Sequence, residues 1–174
     1  MFKNYKKLSY KVDDYHYLTG VDITQRVKIN DRIRSFGATG ARNYIILDGE
    51  KPEYVAYTFY GNPSYAYAIL LLNGIHNMYD EWPRSEKTLK KYIIEKYGSL
   101  TYAQTNIAYY YVNDIITSQQ AYESSSETDK YSQSIYQYEE YLNNEKRNIK
   151  LLDSSLIKKL DVAIREILNS TENL

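Results

Sequence analysis

Cysteine is absent from the 174 residues, and histidine occurs twice and proline three times. Without cysteine there are no disulfides, no thiolate nucleophile and none of the usual structural zinc sites, which fits a reducing compartment. His16 and His76 stand far apart, with no second ligand at metal-binding spacing near either, so no metal or cofactor is expected. Long apolar runs are missing too. The longest, Ala66 to Leu72, falls far short of the roughly 20 residues a membrane span requires. Lys3, Lys6 and Lys7 precede no apolar stretch, so no export signal is expected.

An excess of either charge is also lacking, with 22 basic and 22 acidic side chains. A field near zero gives no reason to expect nucleic acid or an anionic membrane as partner. The local balance does vary. Residues 1–43 hold nine basic and four acidic side chains, residues 44–100 six and seven, and residues 101–174 seven and eleven. Because the basic residues are interleaved with acids, this points to polar protein contacts; "YKKLSYK" alone has the look of a nucleic-acid stretch, and it is isolated.

Catalytic patterns are wanting. There is no Gly-x-Ser-x-Gly, and "GATG" (Gly37 to Gly40) precedes no predicted helix, so it is not read as a phosphate cradle. The pairs Asp13-Asp14, Asp80-Glu81 and Glu139-Glu140 project adjacent side chains in divergent directions and read as solvated faces rather than acid and base. No enzyme is expected.

What the chain has in abundance is tyrosine, 22 against three phenylalanines and one tryptophan. A large apolar face with a water-tolerant hydroxyl suits surfaces that become buried against another protein. The competing explanations are strand propensity and a compositional bias toward Tyr, Asn, Lys and Ile.

The pattern along the chain predicts an α+β fold. Residues 1–20 alternate loosely, as an extended arm or edge strand, whereas the spacing of Val21, Ile23, Val27, Ile29 and Ile33 leaves helix and strand open for the next stretch. Tyr44 to Leu47 reads as a buried strand closed by a turn at Asp48 and Gly49. Pro52 opens a helix with Val55, Ala56 and Phe59 on one face, and Gly61 lies just past its end. Asn62 caps a second helix with Pro63 at its first position; Ala66, Ile69, Leu70 and Asn73 form its inner stripe, and Gly74 stops it.

Ser85 caps a third helix with Leu89, Tyr92, Ile93 and Tyr97 in register, ended by Gly98. Trp82 and Pro83, just before it, are expected to seal the core or else to meet a partner. "TYAQTNIAYYYVNDIITSQQAY" reads as a hairpin turning at Asn113-Asp114, and "ESSSETDKYSQS" as an exposed polar loop. Residues 135–146 read as helix and "NIKLL" as strand. Asp153 caps a last helix whose stripe is Leu156, Ile157, Leu160, Ile164, Ile167 and Leu168. This divides the chain into an arm and connector (1–43), a helical core (44–98), a β-rich hairpin and polar linker (99–132) and a C-terminal helix-strand-helix (133–174).

The run "DGEKPEYVAYTFYGNPSYAYAILLLNGIHN" resembles the LysM module, a strand-helix-helix unit, at Gly49-Glu50, Val55-Ala56, Tyr60-Gly61 and Asn73-Gly74-Ile75. The module's second strand has no counterpart here, since "MYDEWPRSEKTLKKYI" predicts a helix instead. On a wider scale, "DITQRVKINDRI", the stretch from Phe59 to Ser99 and "YEEYLNNEKRNIKLL" with its terminal helix resemble the LysM-containing baseplate wedge proteins of contractile-tailed bacteriophages. That resemblance implies a virion protein of the tail baseplate, made in the host cytoplasm. It would join neighbouring wedge subunits in a sixfold assembly, meeting other wedge proteins and the sheath-initiator-type baseplate protein. The other function implied, by the LysM likeness alone, is binding of cell-wall glycan. In the wedge reading the helix pair 52–73 is a docking unit with Tyr57, Tyr65 and Tyr67 as anchors, unless Tyr65 and Tyr67 pack on residues 89–97 of the same chain.

Overall fold

The computed structural model describes residues 7–21 and 40–170, and side chains as far as residue 166. The stretch carrying Val27, Ile29 and Ile33, the start of "GATG", and the side chains of Ile167 and Leu168 lie outside the described residues. The fold is α+β. Its residues cluster into two compact units, one from Met1–Ile45, Glu50–Glu81 and Ile149–Leu174, the other from Ile46–Gly49 and Trp82–Asn148.

In the first unit, residues 7–21 fold back on themselves as an antiparallel hairpin of β1 (Lys7–Lys11) and β2 (Tyr17–Val21). Asp13 makes the reversal possible, its Oδ1 accepting the backbone N–H of Tyr15 and of His16, each at 2.9 Å. Those N–H donors, Tyr15's foremost, and the His16 ring hold the Asp13 carboxyl below the usual carboxylate range. The strand β3 (Ala41–Ile45) begins three residues before the predicted one and pairs with β7 (Asn148–Leu152). After it come α1 (Pro52–Tyr60), a single 3₁₀ turn at Pro63–Tyr65, α2 (Ala66–Leu72), the short α3 (Met78–Glu81) and finally α8 (Ile157–Ser170).

Local chemistry punctuates these helices. Pro52 opens α1 and is buried, and the Asn62 side chain accepts the Ser64 N–H at 2.9 Å to start the next turn. The core joins α2 to α8, with Ala68, Leu152, Ile157, Leu160 and Ile164 buried together and Tyr60, Tyr65, Tyr67, Leu71 and Leu72 packed on them. Neither short helix could persist alone, so this shared apolar cluster is what keeps them folded.

Gly61 ends α1 in the left-handed region, with φ 68° and ψ 7°, and its N–H donates to the Tyr57 carbonyl at 2.8 Å. A Cβ there would meet no atom within 4 Å. The penalty for a side chain is therefore backbone strain alone. We expect Gly61→Ala to lower the unfolding free energy by about 1 kcal/mol in urea titration and Gly61→Asn by less, since Asn tolerates that region.

The second unit is built on α4 (Glu86–Tyr97), α5 (Leu100–Thr105), β4 (Ile107–Val112), β5 (Ile115–Thr117), α6 (Gln119–Ser124), β6 (Lys130–Ser134) and α7 (Ile135–Glu145). Ser85, Ser99, Ser118 and Ser134 cap α4, α5, α6 and α7 in turn, each hydroxyl accepting a first-turn N–H. At Ser134 the Gln137 side chain reciprocates, completing a capping box. Asn113 and Asp114 turn β4 into β5 with φ of 50° and 61°, the two-residue turn whose twist suits a hairpin. The segment expected as an exposed loop holds instead the end of α6 and the strand β6, which completes a three-stranded sheet in the order β5-β4-β6. Leu89, Ile93 and Ala103 are the core here, ringed by Tyr92, Tyr97, Leu100, Ile135 and Tyr136, and Trp82 and Pro83 are buried.

Candidate interaction surfaces

The LysM-like positions are occupied with the chain's own backbone. Tyr60 donates its hydroxyl to the Leu152 carbonyl at 3.0 Å. The Asn73 amide spans to β7, its Nδ2 donating to the Lys150 carbonyl and its Oδ1 accepting the Lys150 N–H, at 2.8 and 2.7 Å, while Nδ2 also reaches the Ile69 carbonyl. Val55 and Ala56 are buried on the inner side of α1. Gly49, Gly61 and Gly74 all have positive φ, and the N–H of the half-buried Ile75 donates to the Leu70 carbonyl. Glu50 accepts the Tyr44 hydroxyl at 2.8 Å; burial first, and then this carboxylate, pushes the Tyr44 phenol up to about 12. Together Tyr60 and Asn73 tie the helix pair to β7, so the motif serves to hold α1 and α2 at a fixed place in the unit.

The three tyrosines expected as anchors fall into two environments. Tyr57 is 61% exposed and lies one turn from Tyr54, 59% exposed, so the two rings share an outer face of α1. Tyr65 and Tyr67 are half-buried on the apolar cluster of α2 and α8. Tyr65 packs its ring edge-on to Tyr60 at 5.9 Å, and the Tyr67 hydroxyl donates to the Asp161 carboxylate. Burial, then Asp161, raises the Tyr67 phenol well above its ordinary range. Tyr54 is absent from the expected anchors, although its three-residue spacing to Tyr57 is a signal the sequence carries.

The hairpin has two unlike faces. Cross-strand pairs Leu8↔Gly20 and Tyr10↔Leu18 fall on one side, and Lys7↔Val21, Ser9↔Thr19 and Lys11↔Tyr17 on the other. On the first side the Tyr10 ring reaches diagonally over Gly20, close enough to meet a Cβ there at 3.4 Å. Yet Leu8, Tyr10 and Leu18 are 45%, 54% and 55% exposed. A two-stranded hairpin with its apolar side in water is marginal by itself, and a face of this composition gains most from burial against another surface. The sheet of the second unit exposes Ile115, Ile116 and Tyr131 around an aromatic row in which Tyr111 stacks on Tyr131 at 4.8 Å.

Among the described residues no three His, Asp or Glu side chains gather as metal ligands, and no helix is long and apolar enough to cross a membrane. The clearly shifted groups each answer to a structural bond or to burial, as with Tyr44, Tyr67 and the Lys96 ammonium held up by Glu139.

No curated protein matches the chain. The family model described as Base plate wedge protein 53 does match, over residues 6–141, taking in the hairpin, the helix pair and most of the second unit. Since that match covers well more than half of the 174 residues, the chain belongs to the base plate wedge protein 53 family, structural proteins of the phage baseplate.

Proposed function

We propose that this chain joins neighbouring wedge subunits while the baseplate of a contractile tail is assembled, in a sixfold arrangement, through contacts to other wedge proteins and to the sheath-initiator-type baseplate protein. The observation that carries this reading is the uncovered Leu8, Tyr10 and Leu18 face of the N-terminal hairpin. Tyr54 and Tyr57 supply a second exposed aromatic surface within the same unit. Rigid tyrosines on a short helix lose little side-chain freedom on docking, which favours them as anchors. The use of Tyr60 and Asn73 in internal bonds supports a LysM-like unit kept as a stiff docking piece rather than as a glycan groove.

The test replaces Leu8 and Leu18 with serine in the full chain and measures co-sedimentation with wedge subunits from the parent phage. Recovery of the chain in assembled wedges is expected to fall about tenfold or more, equivalent to at least roughly 1.4 kcal/mol of contact energy. Circular dichroism of the isolated protein should hardly change, because these side chains bury little area in the chain itself. Undiminished assembly would remove the hairpin from the interface. Sedimentation of the wild-type chain with bacterial sacculi, resisted by washing, would favour glycan binding instead.

A further inference from the structure

The N-terminal hairpin has two edges as well as two faces. Its Val12 N–H donates to the His16 carbonyl at 2.9 Å, one step beyond the Lys11↔Tyr17 pair. Backbone direction alternates along an antiparallel ladder, so the N–H and C=O groups of Leu8, Tyr10, Leu18 and Gly20 point between the strands and those of their neighbours point away. The outer edge of β2 therefore presents the backbone groups of Tyr17, Thr19 and Val21. Among the described residues nothing pairs with that edge, since the sheet holds β1 and β2 alone.

In the same unit the outer edge of β7 is closed. The Asp153 N–H donates to the Gly40 carbonyl at 2.7 Å at the end of the β3–β7 pairing, so alternation turns Lys150 and Leu152 outward. There the Asn73 amide takes both the N–H and the C=O of Lys150, and the Tyr60 hydroxyl takes the Leu152 carbonyl. Side chains do for β7 what a third strand would do. Among the described residues β2 has no such cover.

Composition sets the two edges of the hairpin apart. Proteins guard exposed strand edges with lysine, proline or a bulge. On β1, Lys7 and Lys11 occupy positions whose backbone faces outward, and they guard that edge. β2 reads Tyr-Leu-Thr-Gly-Val, with no charge and no proline; its register runs without a bulge, and every residue except Gly20 is exposed.

We propose that β2 accepts an extended segment of another baseplate protein as a third strand. This rests on the wedge-joining reading and names how the hairpin engages its partner. Main-chain bonds to Tyr17, Thr19 and Val21 set the register, and apolar side chains beside Leu18 extend the apolar face. Three strands with an apolar face also reach the size at which a small sheet becomes stable. Charge decides which chain supplies the strand. Residues 1–43 hold nine basic against four acidic side chains, so a second copy would bring like charge against like, whereas a strand with acidic residues on its polar side is attracted.

The experiment measures amide exchange in the full ¹⁵N-labelled chain, free and bound to wedge subunits of the parent phage. In the free chain the Tyr17, Thr19 and Val21 amides exchange fast; in the complex they are expected to slow at least tenfold. Docking through the apolar face alone would slow the inward amides of Leu18 and Gly20 and leave those three fast, which would overturn the third strand. Thr19→Pro removes one outward N–H and no bond to β1, and is expected to weaken wedge binding about tenfold. Ser9→Pro makes the same change on the guarded edge and should alter binding by less than about twofold. Exchange in the wild-type chain reads the edge even if a proline variant loses the hairpin. Wild-type binding should also weaken as salt is raised.

An equal loss from both proline variants, or a larger one from Ser9→Pro, would overturn the assignment to β2. Binding indifferent to salt, or protection of the same three amides in the isolated chain as its concentration rises, would overturn the acidic partner strand, the latter in favour of a second copy. Wedge binding that is lost in the Leu8→Ser/Leu18→Ser protein, while Tyr17, Thr19 and Val21 stay fast in the wild-type complex, would sink the third strand and sustain the wedge reading. A chain that ignores wedge subunits altogether would sink both.

Discussion

Leu160→Ala is expected to destabilise the first unit by about 3 kcal/mol, whereas Val162→Ala two positions along the same helix should cost less than about 0.5 kcal/mol. Leu160 is completely buried, surrounded by Ala68, Leu152, Ile157 and Ile164. Truncating its isobutyl group to a methyl loses the transfer energy of three carbons and leaves a cavity that α2 and β7 cannot fully close, since Asn73 at the end of α2 is bonded to the β7 backbone and Tyr60 of α1 holds that strand as well. Val162 is about half exposed, so its methyls contribute little to any core. Urea titration of both variants, read by far-ultraviolet circular dichroism, checks the contrast. Equal, small losses would mean that α8 is not a structural wall of this unit.

The elements that could be read from sequence were those whose ends are fixed by neighbours in the chain. Pro52 with Gly61, Asn62 with Gly74, and Ser85 with Gly98 all act within a few residues, and each marks a helix boundary within a residue or two. The Asn113-Asp114 turn belongs to the same class. What escaped was decided at longer range. β6 lies in a run of Ser, Glu, Thr and Asp with no apolar periodicity, and becomes a strand because β4 lies beside it, with Tyr131 opposite Tyr111 and Gln133 opposite Tyr109. In α5 and α6 the serine caps were present, but the aromatic and β-branched composition around them argued for strand.

The surfaces divide in the same way. A loose alternation over residues 1–20 was visible and read as an extended arm or edge strand, but the pairing of Leu8, Tyr10 and Leu18 on one face depends on a reversal that Asp13 organises through two backbone N–H groups. Asn73 was legible as a residue on the inner stripe of α2; its grip on the Lys150 peptide, 77 positions away, was not. Tyr57 could not be told from Tyr67 by composition. Only the arrival of α8, with Asp161 at hydrogen-bonding distance, turns one of these tyrosines inward and leaves the other to solvent.

In the second unit, Lys96→Met is expected to cost about 2 kcal/mol, and the double variant Lys96→Met/Glu139→Leu to recover most of that loss. The Glu139 side chain is 6% exposed, and its Oε1 takes both bonds, one from Lys96 and one from Tyr97. Without the ammonium, a carboxylate stays in a poorly solvated place with a single phenol donor. Breaking a fully buried pair costs roughly 3–5 kcal/mol. The Lys96 side chain is 45% exposed, so water already screens part of the attraction and the lower figure applies. Removing both charged groups takes away the desolvation cost together with the attraction, which is why the double variant should approach wild type. The Glu139 hydrogen bond raises the Lys96 pKa above the ordinary lysine range. The pair's contribution is therefore fully present below the unfolded lysine value of about 10.4 and is lost only as the pH climbs through the raised folded value. Urea midpoints compared at neutral pH and across a series of alkaline pH values check both statements: the gap between wild type and Lys96→Met should be wide at neutral pH and shrink progressively as the pH rises past the unfolded lysine value, and a gap independent of alkaline pH would mean that packing of the lysine stem, not its charge, holds α4 to α7.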